Sequence, residues 1–206
     1  MKTLAILAQK GGSGKTTIAV HMAVCAIRLN FHTALIDLDP QGSAHDWNES
    51  REEAYRLDAV KATSGQLTKL LEQARSAGAD LAIIDTAPHS NSTAAIAAQL
   101  ADFVLIPCRP ARFDLKAIGS TVEIARLAKT PSAVVINAAP RGKLAEEATS
   151  ALTQQGIKVL ETVLQHRAAY SHAVIDGLSV HEYEPKGKAA EEIDALFASV
   201  RNIIAI

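Results

Sequence analysis

The sequence predicts an α/β protein in which a mostly parallel central sheet carries helices on both faces. Three observations lead there. Five apolar runs of strand length (Thr3–Ala8, Thr33–Asp37, Leu81–Asp85, Phe103–Pro107 and Ala133–Asn137) lack the polar alternation of a half-exposed strand, so each is expected to be buried on both faces, and Val159–Leu164, interrupted by Glu161 and Thr162, is a further candidate strand. Longer stretches of helix character separate them, the pattern that produces parallel strands joined by crossovers. A glycine-rich segment, Lys10–Thr17, joins the first run to the first of those stretches.

The helices follow in order. Thr16–Leu29 comes after the glycines, and Gly42–Arg56 after the second strand. Ser64–Ala77 places Leu67, Leu70, Leu71 and Ala74 at helical spacing, with Ser64 as N-cap and Gly78 as the stop. Asp114–Ala128, Lys143–Gln155 and a closing Ala189–Ile204 complete the set. There is no internal repeat, low-complexity segment or Pro/Gly-rich linker, and Pro107–Pro110 reads as a loop. A chain of 206 residues is therefore expected to form one domain, 1–206.

Composition narrows the functional classes. The chain is 48% hydrophobic and 21% charged, with net charge −1, so nothing global marks a nucleic-acid binder, although a local basic patch stays open. The two cysteines, Cys25 and Cys108, belong to no CxxC pair, which points to a reduced, cytoplasmic protein. The seven histidines show no metal-ligand spacing. Leu4–Ala8 runs straight into Lys10 and glycines rather than continuing as a signal peptide. The most apolar stretch, Ala94–Pro107, is broken by Gln99 and Asp102 and falls short of the roughly 18–20 residues that span a bilayer.

Lys10-Gly11-Gly12-Ser13-Gly14-Lys15-Thr16-Thr17 carries the most specific chemistry. It lies between a strand and a helix, the context a phosphate loop needs. Glycines let the backbone wrap and aim its N–H groups at phosphate oxygens, and the following helix adds its positive end. Lys15 is placed to reach the β- and γ-phosphates, and the Thr16 hydroxyl to ligate Mg2+. The segment departs from GxxxxGK[ST] in having Gln9 at the first glycine position and an extra lysine, Lys10.

Carboxylates follow at strand ends, where an open α/β sheet places its ligands. Leu81–Asp85 resembles a Walker B strand, with Asp85 expected to hold Mg2+ through a water. Leu35–Gln41 supplies Asp37 and Asp39. Asp39 lies further into the loop and is the better candidate to position the attacking water. Asp37 is read either as part of the metal shell or as a cap for the next helix.

Together these residues resemble the ParA/MinD family of deviant Walker A ATPases, the SIMIBI class of P-loop NTPases. Lys10–Thr17 fits the family's KGGxGKT[ST], Asp37–Gln41 its DxDPQ, and Asp85-Thr86-Ala87-Pro88 its segment after the Walker B strand, with Ala87 where proline is common. Ile106–Pro110, Asn137 and Gln165–Gly177 resemble later family segments.

The resemblance implies an ATP-sandwich homodimer working on ATP/ADP with Mg2+. Lys10 matches the signature lysine that reaches the partner's phosphates, Asp39 the hydrolytic aspartate, and Asn137 a position that contacts adenine. The short length resembles the small, ParF-like partition ATPases and leaves no room for an N-terminal helix-turn-helix domain. Such proteins bind duplex DNA nonspecifically, are stimulated by a ParB-like or ParG-like centromere-binding partner, and are cytoplasmic and nucleoid-associated. Candidate DNA contacts are Arg141, Lys143, Arg167, Lys186 and Lys188.

A MinD-like membrane helix is not expected. The last helix begins Glu191-Glu192, has Arg201 as its only late cation, and carries Ile193, Leu196, Phe197, Val200 and Ile204, which suit a core. The remaining alternatives are a ParA-like positioner of protein cargo and a metabolic enzyme of the dethiobiotin-synthase type.

Overall fold

A computed structural model describes residues 1–206. Seven strands form one sheet: β1 (Lys2–Ile6), β2 (Thr33–Asp37), β3 (Asp58–Lys61), β4 (Leu81–Asp85), β5 (Phe103–Cys108), β6 (Ser132–Ala139) and β7 (Val159–Gln165). Their order is β3-β2-β4-β1-β5-β6-β7, and every neighbouring pair is parallel. The α/β expectation holds.

Nine α-helices connect or flank the strands: α1 (Lys15–Arg28), α2 (Ser43–Glu49), α3 (Leu67–Ser76), α4 (Asn91–Leu100), α5 (Arg112–Ala128), α6 (Leu144–Gln154), α7 (Ala168–Ile175), α8 (Val180–Tyr183) and α9 (Lys188–Ile204). Strand residues alternate between two cores. Leu4, Ile6, Leu35, Ile83, Leu105 and Val135 face α1, α2 and α7–α9. Ala5, Ile36, Ala82, Ile84, Ile106 and Ile136 face α3–α6. With apolar side chains needed on both faces, the inner strands read as unbroken apolar runs, while the edge strands β3 and β7 keep exposed Asp58 and Glu161.

The apolar residues of α9 enter the first core: Ile193, Leu196, Phe197 and Val200 are at most 2% exposed. Each such burial contributes roughly 1.5–3 kcal/mol, which commits this face to the fold. No helix is long and apolar enough to cross a membrane.

Three local expectations are corrected. The stretch 42–56 is not one helix. α2 stops at Glu49 because Asn48 clips the chain back, its amide donating to the Leu57 carbonyl at 3.1 Å and accepting from the Leu57 N–H at 2.8 Å. Buried Arg51 fixes the return: it donates to the carbonyls of Tyr55 and Gly177, pairs with both Glu182 oxygens, and stacks 4.6 Å over the Trp47 ring. The chain then forms β3, a short edge strand with mostly exposed residues and no apolar signature. The cap before α3 is Thr63 rather than Ser64, in a reciprocal capping box with Gln66 on a short 3-10 turn. Gly78 does take the left-handed conformation of a helix stop, with φ +85°. Finally, α4, α7 and α8 add to the helices expected from periodicity. The stretch Ala94–Pro107 merges an alanine-rich helix with the strand after it, so periodicity alone does not divide it.

Candidate nucleotide site

Beyond the C-terminal end of β1 the chain order reverses: β4, β2 and β3 lie to one side, β5, β6 and β7 to the other. This is the topological switch point at which α/β sheets bind ligands. The loop after β1, Lys10–Gly14, opens there directly into α1. Gly14 is the helix N-cap in the left-handed region, with φ 94°. A Cβ at Gly14 would also collide with the Asn137 side-chain amide. Glycine is thus needed here for both conformation and space.

The cradle is polar and sequestered. Ser13 is 2% exposed, and its hydroxyl has no hydrogen-bond partner in the chain. Lys15 is 6% exposed. Burial lowers its pKa, opposed by the nearby carboxylates of Asp85 and Asp39. A buried cation and an orphaned hydroxyl beside helix-start N–H groups are what a bound phosphate would satisfy.

The carboxylates sort into distinct roles. Asp85, fully buried, accepts a 2.6 Å hydrogen bond from the Thr16 hydroxyl. Two of the three candidate Mg2+ residues are therefore brought together, although they stand 69 positions apart. Burial pushes the Asp85 carboxyl up to about 7, helped by Asp37 in direct register on the next strand and opposed by Thr16 and Lys15. A divalent cation would favour its charged form, so Thr16 and Asp85 fit a Mg2+-nucleotide.

Asp37 is held by backbone N–H groups. Its Oδ1 accepts from the Asp39 N–H at 2.9 Å, and its Oδ2 from the N–H groups of Ala44 and His45 at 2.9 and 3.1 Å. Both oxygens are thus occupied in capping α2 and holding the loop, so of its two readings the structure supports the cap. Asp39 is half-buried in that loop, with Oδ1 accepting from the Gln41 N–H and its charge close enough to act on Lys15.

Lys10 does not project freely. Its ammonium is paired with Asp114, a buried acid in the first turn of α5. Asn137, near the end of β6, donates to the Ser13 carbonyl at 2.7 Å. It borders a pocket of about 150 Å³ that also includes Gly14, Thr17, Arg109, Arg167 and Tyr170. The segment after β4 is tied to this loop as well: the Thr86 hydroxyl donates to the Ile6 carbonyl, and the His89 N–H to the Gln9 carbonyl. All the expected phosphate-loop residues, together with Asp39, Asp85 and Asn137, meet at one edge of the sheet.

Two residues at this edge are given no role by the sequence: Asp114, which holds Lys10 from 104 positions away, and Arg109, noted there only within the Ile106–Pro110 segment. The first reads as an ordinary acid at a helix start, and the second as one residue of a proline-rich loop. Of the basic residues considered for DNA, Arg141, Arg167 and Lys188 line one groove with His166 and Glu184. Arg167 and Lys188 are paired with Glu192 and Glu191, whereas Arg141, Lys143 and Lys186 have no carboxylate partner. Away from the site, the fold brings together Cys25, His181 and Asp194, which no sequence spacing suggested. Asp194 Oδ1 accepts from both the thiol, at 3.4 Å, and His181 Nε2, at 2.8 Å.

Residues 4–180 match the profile of the CobQ/CobB/MinD/ParA nucleotide binding domain. The chain is 35% identical over 203 residues to the maintenance of carboxysome distribution protein A of Gloeobacter kilaueensis, covering 97% of this chain and 92% of that protein. It is 27% identical over 227 residues to the chromosome-partitioning ATPase Soj of Thermus thermophilus, covering 92% and 91%. Among solved structures, an ATP complex of Cyanothece McdA superposes with a TM-score of 0.75 at 19% identity, covering 100% of this chain and 97% of that one.

Proposed function

The chain belongs to the CobQ/CobB/MinD/ParA nucleotide-binding family, and from that premise we propose that it is a Mg2+-dependent ATPase whose ATP-bound homodimer positions a protein cargo along duplex DNA. The observation that supports this most is the gathering of Lys10, Lys15, Thr16, Asp39 and Asp85 around one loop, in a chain collinear over nearly its whole length with a carboxysome-distribution protein. Residues Gly11–Thr17 would bind the phosphates, and Thr16 and Asp85 would hold the metal, which would supply neutralisation of phosphate charge. Asp39 orients the attacking water. Lys10 exchanges Asp114 for the partner's phosphates, and Asn137 closes the base end of the pocket. Hydrolysis is slow and partner-stimulated, because what the cycle delivers is a change of assembly. The domain 1–206 acts in the cytoplasm, on the nucleoid.

DNA segregation with a ParB-like or ParG-like partner, the first expectation from sequence, is the second reading, favoured by the likeness to Soj. The greater identity to the carboxysome relative moves the weight to protein cargo. Fluorescent tagging separates them. Protein cargo predicts that deletion clumps a large protein assembly while plasmid inheritance continues; lost inheritance with well-spaced assemblies would reverse the choice.

The ATPase part is tested by steady-state hydrolysis with random duplex DNA. DNA should stimulate turnover at low salt and lose its effect as salt rises. Asp39→Ala should bind ATP normally, lower kcat by ~10²-fold or more, and leave an ATP-locked dimer on DNA. Normal turnover in that variant would remove Asp39 from the mechanism.

A further inference from the structure

Arg109 stands immediately after β5, and β5 neighbours β1, so its loop runs beside the phosphate loop. Its guanidinium lies over the loop's glycine crest: Nη2 is 3.8 Å from where a Cβ of Gly12 would sit. The side chain also borders the 150 Å³ pocket shared by Gly14, Thr17 and Asn137. Three cations around the loop are answered by carboxylates. Lys10 is paired with Asp114, Arg167 is forked onto Glu192 Oε1, and Lys15 lies within the influence of Asp85 and Asp39. Arg109 makes neither an ion pair nor a side-chain hydrogen bond, and it is exposed.

We infer that Arg109 is a phosphate ligand of the nucleotide site, a second mobile cation besides Lys10. This rests on the nucleotide-binding reading above. A planar guanidinium offers paired N–H donors that match two phosphate oxygens, which a lysine at the same place does not. An exposed guanidinium with no carboxylate partner gives up only water when it meets a triphosphate, so the interaction is not offset by the loss of an existing ion pair. The exposed position adds freedom of approach. The same chemistry serves a triphosphate bound by its own protomer or one presented by a second copy of the chain.

The experiment compares wild type with Arg109→Ala and Arg109→Lys. It measures Mg-ATP and Mg-ADP affinity by competition with a fluorescent nucleotide, together with ATP-dependent dimerisation and kcat. Melting temperature without nucleotide should not change, since Arg109 holds nothing in the chain. Arg109→Ala should weaken ATP binding by ~10-fold or more, with a smaller loss for ADP, and Arg109→Lys should fall between. That result assigns Arg109 to its own nucleotide. ATP affinity kept with dimerisation and kcat lost would assign it to the partner's triphosphate and sustain the inference. Affinity, dimerisation and kcat all unchanged in Arg109→Ala would overturn it. If the wild type bound no ATP, the nucleotide reading itself would fail, a result distinct from any of these.

Discussion

Lys15→Gln should leave a folded protein that no longer responds to ATP, with affinity down ~10-fold or more and kcat down at least ~10²-fold. The argument starts from burial. Lys15 is 6% exposed at the first position of α1, where the helix end is already positive. Keeping an ammonium there is unfavourable, as the lowered pKa indicates, and the carboxylates of Asp85 and Asp39 offset the cost. A residue kept there against both burial and the helix dipole is a candidate anion ligand. Glutamine keeps a donor on a side chain one atom shorter but removes the charge, so the empty fold should survive and even gain stability. The measurements are nucleotide competition binding, turnover and melting temperature. Near-normal ATP affinity in Lys15→Gln would mean that the loop's N–H groups alone hold the phosphates. A large loss of melting temperature would mean that Lys15 is a structural ion.

The legibility of this molecule followed the range of the interactions. Strands buried on both faces show as apolar runs, so β1, β2 and β4–β6 could be read directly; β7, an edge strand with an exposed Glu161, was only a candidate, and β3, a short and mostly exposed edge strand, could not be read. The phosphate loop was legible because its residue types are dictated by backbone conformation and phosphate chemistry within one turn. The Thr16–Asp85 contact followed from knowing that the loop and the end of β4 share one edge. Asp37 was ambiguous because a strand-end carboxylate serves a metal and a helix N-terminus equally well by sequence. Its three backbone hydrogen bonds favour the cap. The Lys10–Asp114 pair and the open position of Arg109 had no local signal at all, since each depends on the loop after β5 lying beside the loop after β1.

Lys10→Ala should preserve ATP binding yet reduce turnover by ~10³-fold, the scale of a missing arginine finger. In the isolated chain the Lys10 ammonium is held by Asp114 of its own protomer, whereas Lys15 is the lysine that shares its surroundings with Asp85 and Asp39. A lysine engaged by its own acid contributes little to holding nucleotide, which is why affinity should survive its loss. If it acts across a twofold interface, the defect belongs to the neighbour's site, and mixing should reveal this. In a dimer of Lys10→Ala with Asp39→Ala, one site combines the intact lysine of one protomer with the intact aspartate of the other. Random pairing makes about half the dimers mixed with one whole site each, so an equal mixture should recover about a quarter of wild-type turnover. Recovery would also require Lys10 to leave Asp114, which ties assembly to the arrival of a phosphate charge strong enough to replace that carboxylate. If the mixture stayed as inactive as its parts while mixed dimers formed, Lys10 would act within its own protomer, and Asp114 would be its permanent partner rather than the one it exchanges.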